Sequence, residues 1–229
     1  MNLIMVAHGT RRPEGVAMVG DIAAQVSVLL DQPVHTAFVD VVGPTPSEVL
    51  SSAAVADRPA IVVPAFLSRG YHVRADVPAH VVASGHPDVT IAGALGPSPN
   101  VVSIVVQQLC KSGWRRGDSV ILAAAGTSDS TARDDLRNTA RMLSALIGSR
   151  VGLAFAATGE PSVPAAVAKA RTGSRSRVVV ASYLLADGLF QERLRNCGAD
   201  IVSEPLGTHP GLVRLIANRF RRARALVAA

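Results

Sequence analysis

Val6-Ala7-His8-Gly9-Thr10 and Ala123-Ala124-Ala125-Gly126-Thr127 are two versions of one stretch, set 117 positions apart (residue 8 to residue 125). Each is a short apolar run that ends in a small-residue turn, as a buried strand does where it leaves its sheet. The same offset joins Ala37-Phe38 to Ala154-Phe155, Pro44 to Pro161, Val62-Val63 to Val179-Val180 and Leu67 to Leu184. Chance matches of apolar dipeptides would not hold one spacing from residue 6 to residue 67. Further on, Leu95-Gly96 and Pro99 match Leu206-Gly207 and Pro210 at an offset of 111, as a shorter loop in the second copy would produce. The chain reads as a tandem duplication with its junction near residues 111–117, which predicts domains over 1–113 and 114–229.

Within each copy, short β-branched runs alternate with helical patterns. Residues 3–7, 34–39, 60–64 and 90–92 read as strands, and so do 119–123, 151–155, 177–182 and 200–202. Val16, Val19, Ala23, Val26 and Leu30 share one face of a helix between the first two strands. Ala132, Leu136, Ala140, Leu143 and Ile147 do the same in the second copy, where Gly148 ends the helix. Further helices are expected after Pro46 and from Asp76, an N-cap candidate with Pro78 in the first turn. Strand–helix alternation of this kind predicts an α/β fold. Two tandem domains are expected, each a mainly parallel sheet with helices on both faces.

Composition narrows the function classes. The longest apolar runs fall well short of the roughly 18 residues that cross a bilayer, and Met1 to Val6 reads as a first strand rather than a leader. A cytoplasmic protein without membrane contact is therefore expected. Cys110 and Cys197 lack metal-ligand spacing and read as reduced core residues. The net charge of +6 suits an anionic partner. With only 3% aromatic residues there is little surface on which nucleic-acid bases could stack, so no nucleic-acid partner is expected. Arg219, Arg221, Arg222 and Arg224 on the final amphipathic helix read as a solvated face.

Ligands of open parallel sheets bind beyond the carboxyl ends of the strands. The first copy places His8 at the end of its first strand, Asp40 at the end of its second, and His72 in the loop after its third. Two imidazoles and a carboxylate converging there would form a nitrogen–oxygen site suited to Fe²⁺, Co²⁺ or Ni²⁺. The duplication supplies an internal control: at the same offset the second copy has Ala125, Ala157 and Leu189. All three polar positions become apolar while the flanking scaffold persists, as one site kept in one copy predicts. His35, His80, His86 and His209 lack such company and read as structural.

Three segments carry a family resemblance. They are Val6-Ala7-His8-Gly9-Thr10-Arg11-Arg12, Phe38-Val39-Asp40, and Val63-Pro64-Ala65-Phe66-Leu67 leading to Gly70-Tyr71-His72-Val73-Arg74-Ala75-Asp76-Val77-Pro78. Together they resemble the sirohydrochlorin chelatases, the class II tetrapyrrole chelatases of siroheme and cobalamin biosynthesis. The likeness runs through the whole chain, since that family includes single-copy and tandem forms.

The resemblance implies a lyase that inserts Fe²⁺ or Co²⁺, as substrate metal, into sirohydrochlorin with release of two protons and no tightly bound cofactor. It carries the metal-site histidines onto His8 and His72. The family's glutamate position falls on Asp40, which keeps the charge and shortens the reach by one methylene. Imidazole, with an ordinary pKa of about 6.5, can hold a metal or accept the pyrrole protons near neutrality. The implied substrate bears carboxylates, and Arg11, Arg12, Arg69 and Arg74 flank the site residues with suitable forks.

Two other classes share these features. A histidine phosphatase also places His-Gly after a first strand, but its mechanism needs an arginine just before the histidine, where this chain has Ala7. A non-catalytic metal or tetrapyrrole carrier could use the same trio. The covalent duplicate can stand in for a dimer partner, so a monomer is expected. No Walker-type loop, GxGxxG or GxSxG motif occurs.

Overall fold

The computed structural model describes residues 1–173 and 176–227. The chain runs β1 (Asn2–Ala7), α1 (Pro13–Leu30), β2 (Val34–Phe38), α2 (Pro46–Ser51), β3 (Ala60–Pro64), a π-helical turn (His72–Asp76), α3 (Val77–Ser84), β4 (Val89–Ile91) and α4 (Pro99–Lys111). It continues through β5 (Ser119–Ala124), α5 (Ser130–Ile147), β6 (Val151–Phe155), α6 (Val163–Gly173), β7 (Val178–Tyr183), α7 (Leu189–Arg195), β8 (Ile201–Val202) and α8 (Pro210–Val227). Two four-stranded sheets result, ordered β2-β1-β3-β4 and β6-β5-β7-β8, and neighbouring strands within them pair in parallel. The tandem α/β architecture expected from the repeat is the one observed.

In the first unit β1 is central, pairing Leu3 with Val34 on one side and Ile61 on the other. Its residues from Leu3 to Ala7 are all buried, because helices cover both faces of the sheet. Ile4 and Val6 join Ala37, Val49, Leu50, Val62 and Val77 in a core beneath α2 and α3. Alternation sends Leu3 and Met5 to the opposite face, where α1 and α8 pack. Among the described helices α1 has the length and apolarity of a membrane span, at mean hydropathy 1.2. Yet Val19, Ile22, Ala23 and Val26 are buried while Asp21 is wet, the pattern of a covering helix.

In the second unit Ile121, Ala123, Val178 and Val180 pack with Val163, Val167 and Leu194 beneath α6 and α7. The inward stripe predicted for α5 is buried throughout, and Gly148 ends that helix at φ 69°.

The compact units do not follow the expected boundaries 1–113 and 114–229. One comprises Met1–Gly96 with Thr208–Ala229, the other Pro97–Gly207. The terminal helix of each half serves the other half's sheet. Thus α4 packs on α5 and β7, with Gln108 Nε2 donating to Pro205 O at 2.7 Å, while α8 packs on α1, β3 and β4. The equivalent prolines, Pro99 and Pro210, open these two exchanged helices.

The arginines of α8 take part in that docking rather than forming only a solvated face. Arg221 donates to Leu29 O at 2.8 Å and Arg224 to Gln32 Oε1 at 2.6 Å. Arg219 reaches Leu95 O at 3.4 Å, and burial lowers its pKa from the ordinary arginine value. Cys197 is buried as expected. Cys110 is exposed, because the helical period of α4 turns Val101, Val102, Ile104, Val105 and Leu109 inward and leaves position 110 outside.

Candidate active site at the strand ends

The ladder between β1 and β2 continues past both strands. Val39 N–H donates to Ala7 O at 3.0 Å, and Asp40 N–H donates to His8 O at 3.0 Å. His8 and Asp40 are therefore neighbours through their main chains. Gly9 then leaves the sheet at φ +101°, where a Cβ would lie 2.0 Å from Asp40 O. Only glycine tolerates both that torsion and that approach. On the other side Ala65 N–H donates to Val6 O at 2.7 Å, which levels the end of β3 with that of β1.

His72 arrives from the loop after β3, on the π-helical turn. Asp76 stands immediately before α3 with Pro78 in its first turn, as expected, but its side chain does not cap the helix. Asp76 is itself helical at φ −67°. The helical path begins one turn earlier, and Val77 N–H closes it on His72 O. Asp76 Oδ2 instead meets His72 Nδ1 at 2.5 Å.

The structure brings His8 and His72 together edge to face, with ring centroids 4.7 Å apart and planes at 90°. Phe66 stacks on His72 at 5.9 Å, and Tyr71 approaches it at 6.3 Å. His8 Nδ1 lies 3.1 Å from Gly9 O. A carbonyl oxygen can only accept, so this contact assigns the proton to Nδ1 and leaves the Nε2 lone pair available. The carboxylate beside His72 Nδ1 assigns that ring the same way. Both imidazoles thus offer Nε2 as ligand or proton acceptor.

The expected trio reduces to this pair. Among the described residues no group of three or more His, Cys, Asp or Glu side chains is placed to hold a metal. Asp40 Oδ1 accepts its neighbour's amide, Val41 N–H, at 2.7 Å. Val41 takes φ 72°, and Val42 N–H turns back to Asp40 O at 2.8 Å, so a tight local turn surrounds the short carboxylate. The four arginines flank the histidines in the chain: Arg11 and Arg12 precede α1, Arg69 precedes the π-helical turn and Arg74 lies on it. Arg11, Arg69 and Arg74 are exposed and Arg12 half-exposed.

The second unit repeats the scaffold without the imidazoles. Ala157 N–H donates to Ala125 O at 2.9 Å, and Ala156 N–H to Ala124 O at 2.8 Å, matching the bonds around His8. Gly126 repeats the crossing at φ +128°. Leu189 stands where His72 does and opens α7. Tyr183 replaces Phe66, and its fully buried hydroxyl has a pKa pushed upward by desolvation. Phe66 and Tyr71 have no site role in the sequence reading, and Asp76 is read there only as a helix start. The four-residue spacing of His72 and Asp76 was the available signal.

Two α/β units are thus present, each built on a parallel sheet, and one of them carries an imidazole pair at its strand ends. The chain belongs to the CbiX family, whose model matches it twice, over residues 2–112 and 119–223. A curated relative, the sirohydrochlorin cobaltochelatase of Methanothermobacter thermautotrophicus, is 32% identical over 92 residues, covering 38% of this chain and 64% of that protein. The chain thus spans just under two thirds of the length of that relative. Among solved structures, SirB from Bacillus subtilis with Fe³⁺ superposes at a TM-score of 0.81 and 20% identity, covering 97% of this chain and 96% of that one. SirB from Bacillus subtilis subspecies spizizenii in complex with cobalt gives 0.78 at 20% identity, covering 97% and 95%. At this identity the likeness establishes the shared fold.

Proposed function

We propose that this protein is a sirohydrochlorin chelatase that inserts Fe²⁺ or Co²⁺ into sirohydrochlorin. The observation that carries the reading is the His8–His72 pair, 4.7 Å apart, with each Nδ1 engaged and each Nε2 available. In the reaction M²⁺ enters the macrocycle and the two pyrrolic protons leave, so the metal complex and two H⁺ are formed. A protein that hands its metal on is served by two imidazoles rather than by a closed four-ligand cage, because the pyrrole nitrogens must take over the coordination sphere. The imidazole that does not hold the ion would receive a departing proton.

Asp40 contributes negative charge beside His8. Arg11, Arg12, Arg69 and Arg74 are the candidate partners of the substrate carboxylates. The site belongs to the first copy, and the protein acts as a cytoplasmic monomer.

Anaerobic absorption spectroscopy of sirohydrochlorin with Fe²⁺ or Co²⁺ tests this reading. His8→Ala and His72→Ala are expected to lower kcat/KM by roughly 100- to 10,000-fold with the fold retained, the range for loss of a proton-transfer group. Asp40→Asn is expected to act more weakly, since that carboxylate is held by Val41. Full activity in either histidine variant would refute the assignment. A colour change that stops at one equivalent of protein would support a carrier instead.

A further inference from the structure

We infer that Asp76 is a positioning residue for metal insertion: through the π-helical turn it holds the His72 ring in one orientation and one tautomer, with Nε2 directed to the substrate. This deepens the function proposed above and rests on it.

The geometry is specific. Asp76 Oδ2 lies 2.5 Å from His72 Nδ1, and the two side chains are only 27% and 33% exposed. Phe66 stacks on one face of the same ring, 28° from parallel, and the His8 ring meets it edge to face. A carboxylate that fixes the far nitrogen of an imidazole sets which nitrogen carries the proton and raises the donor strength of the other. The π-helical turn spans both residues, beginning at His72 and ending at Asp76. Interruptions of this kind recur where a helix serves a site.

The internal copy loses both members of the pair together. At the offset of 117, His72 becomes Leu189 and Asp76 becomes Arg193. The acid is therefore absent where its histidine is absent, although neighbouring Val77 remains matched by an apolar residue, Leu194, that is also fully buried. The π-helical turn is absent there as well, since α7 runs as an α-helix from Leu189. In the second copy Arg193 instead lies over the Phe190 ring at 5.8 Å.

The test combines kinetics with NMR on the full chain. Asp76→Ala is expected to lower kcat/KM for Co²⁺ insertion about 10- to 100-fold, the usual effect of removing a partner behind a metal-handling histidine. Asp76→Glu, which keeps a carboxylate on the same face, is expected to recover part of that loss. Asp76→Asn, isosteric with the native residue, serves if the alanine variant does not fold. In a double-mutant cycle, adding Asp76→Ala to His72→Ala should cost nothing more.

Long-range ¹⁵N NMR of metal-free protein should show His72 protonated at Nδ1 in the native chain and partly at Nε2 in Asp76→Ala. Native activity in both Asp76→Ala and Asp76→Asn, additive losses in the cycle, or an unchanged His72 tautomer would overturn the inference. If His72→Ala proves fully active, the proposed function fails, while the NMR result still decides whether Asp76 controls the ring.

Discussion

Replacing Gly9 by alanine should damage both the fold and the site, whereas the same change at its twin, Gly126, should damage only the fold. At φ +101° an alanine meets a backbone penalty of roughly 1–2 kcal/mol. Its Cβ would stand 2.0 Å from Asp40 O, where real contacts begin near 3.0 Å, so the β2 end must retreat by about an ångström. That movement breaks the bond from Asp40 N–H to His8 O, worth about 1 kcal/mol. The total is about 2–3 kcal/mol, which for a domain of this size lowers Tm by roughly 5–10 °C.

Gly126→Ala carries a similar load, since its Cβ would lie 2.4 Å from Thr158 O at φ +128°. An ångström of displacement beside reacting groups costs about 100-fold in rate, so Gly9→Ala should lose that factor per folded molecule and Gly126→Ala should not. Thermal melts followed by circular dichroism give the stability, and Co²⁺ insertion below the melting range gives the rate. A Gly9→Ala protein melting within a degree of the native one would refute the steric argument. Equal rate losses in both variants would refute the assignment of the site to the first unit.

Three further outcomes are expected. Phe220→Ala in α8 should cost about 3–5 kcal/mol and expose β1–β4 amides to hydrogen exchange, while Leu109→Ala in α4 should expose those of β5–β8; losses that follow sequence halves would contradict the helix exchange. Val41, exposed and at φ 72°, should be replaceable by asparagine with a rise in Tm of about 2–4 °C in a melt, because asparagine tolerates that torsion. Asp200 accepts Val178 N–H at 2.7 Å and Arg171 at 3.0 Å, and these bonds hold its pKa below the usual carboxylate value. A depressed carboxylate stabilises the fold above its unfolded pKa of about 4 and loses that contribution as pH falls through the folded value. Asp200→Asn should therefore melt lower than the native protein at pH 7, with the gap closing in melts below about pH 4.

The sheets and the strand-end histidines were legible because they depend on local pattern. Ala60–Pro64 and Val151–Phe155 are apolar throughout and bounded by polar turns, so their limits could be read directly. The 117-residue offset exposed His8 and His72 as polar exceptions to a shared scaffold. Asp40 ends the second strand as its position suggests, but the bond its carboxylate accepts from Val41 N–H is set by torsions that no pattern of residue types announces. The π-helical turn was hidden because Pro78 and Asp76 imitate a helix start. The exchange of α4 and α8 was illegible for a different reason. An amphipathic stripe states which face of a helix needs cover and is silent on which sheet supplies it.

That exchange sets an order for synthesis. Pro97–Gly207 is one unbroken stretch and can close without any later segment of the chain. The histidine-bearing unit has to wait, because α8 is made only after every strand of its neighbour. At about 5–20 residues per second the interval between β4 and α8 is roughly 5–25 s. Throughout it, the surface of β3 and β4 that α8 will cover stays wet. The contiguous unit without the imidazole pair can therefore close first, and the unit that holds His8 and His72 is completed last, by α8.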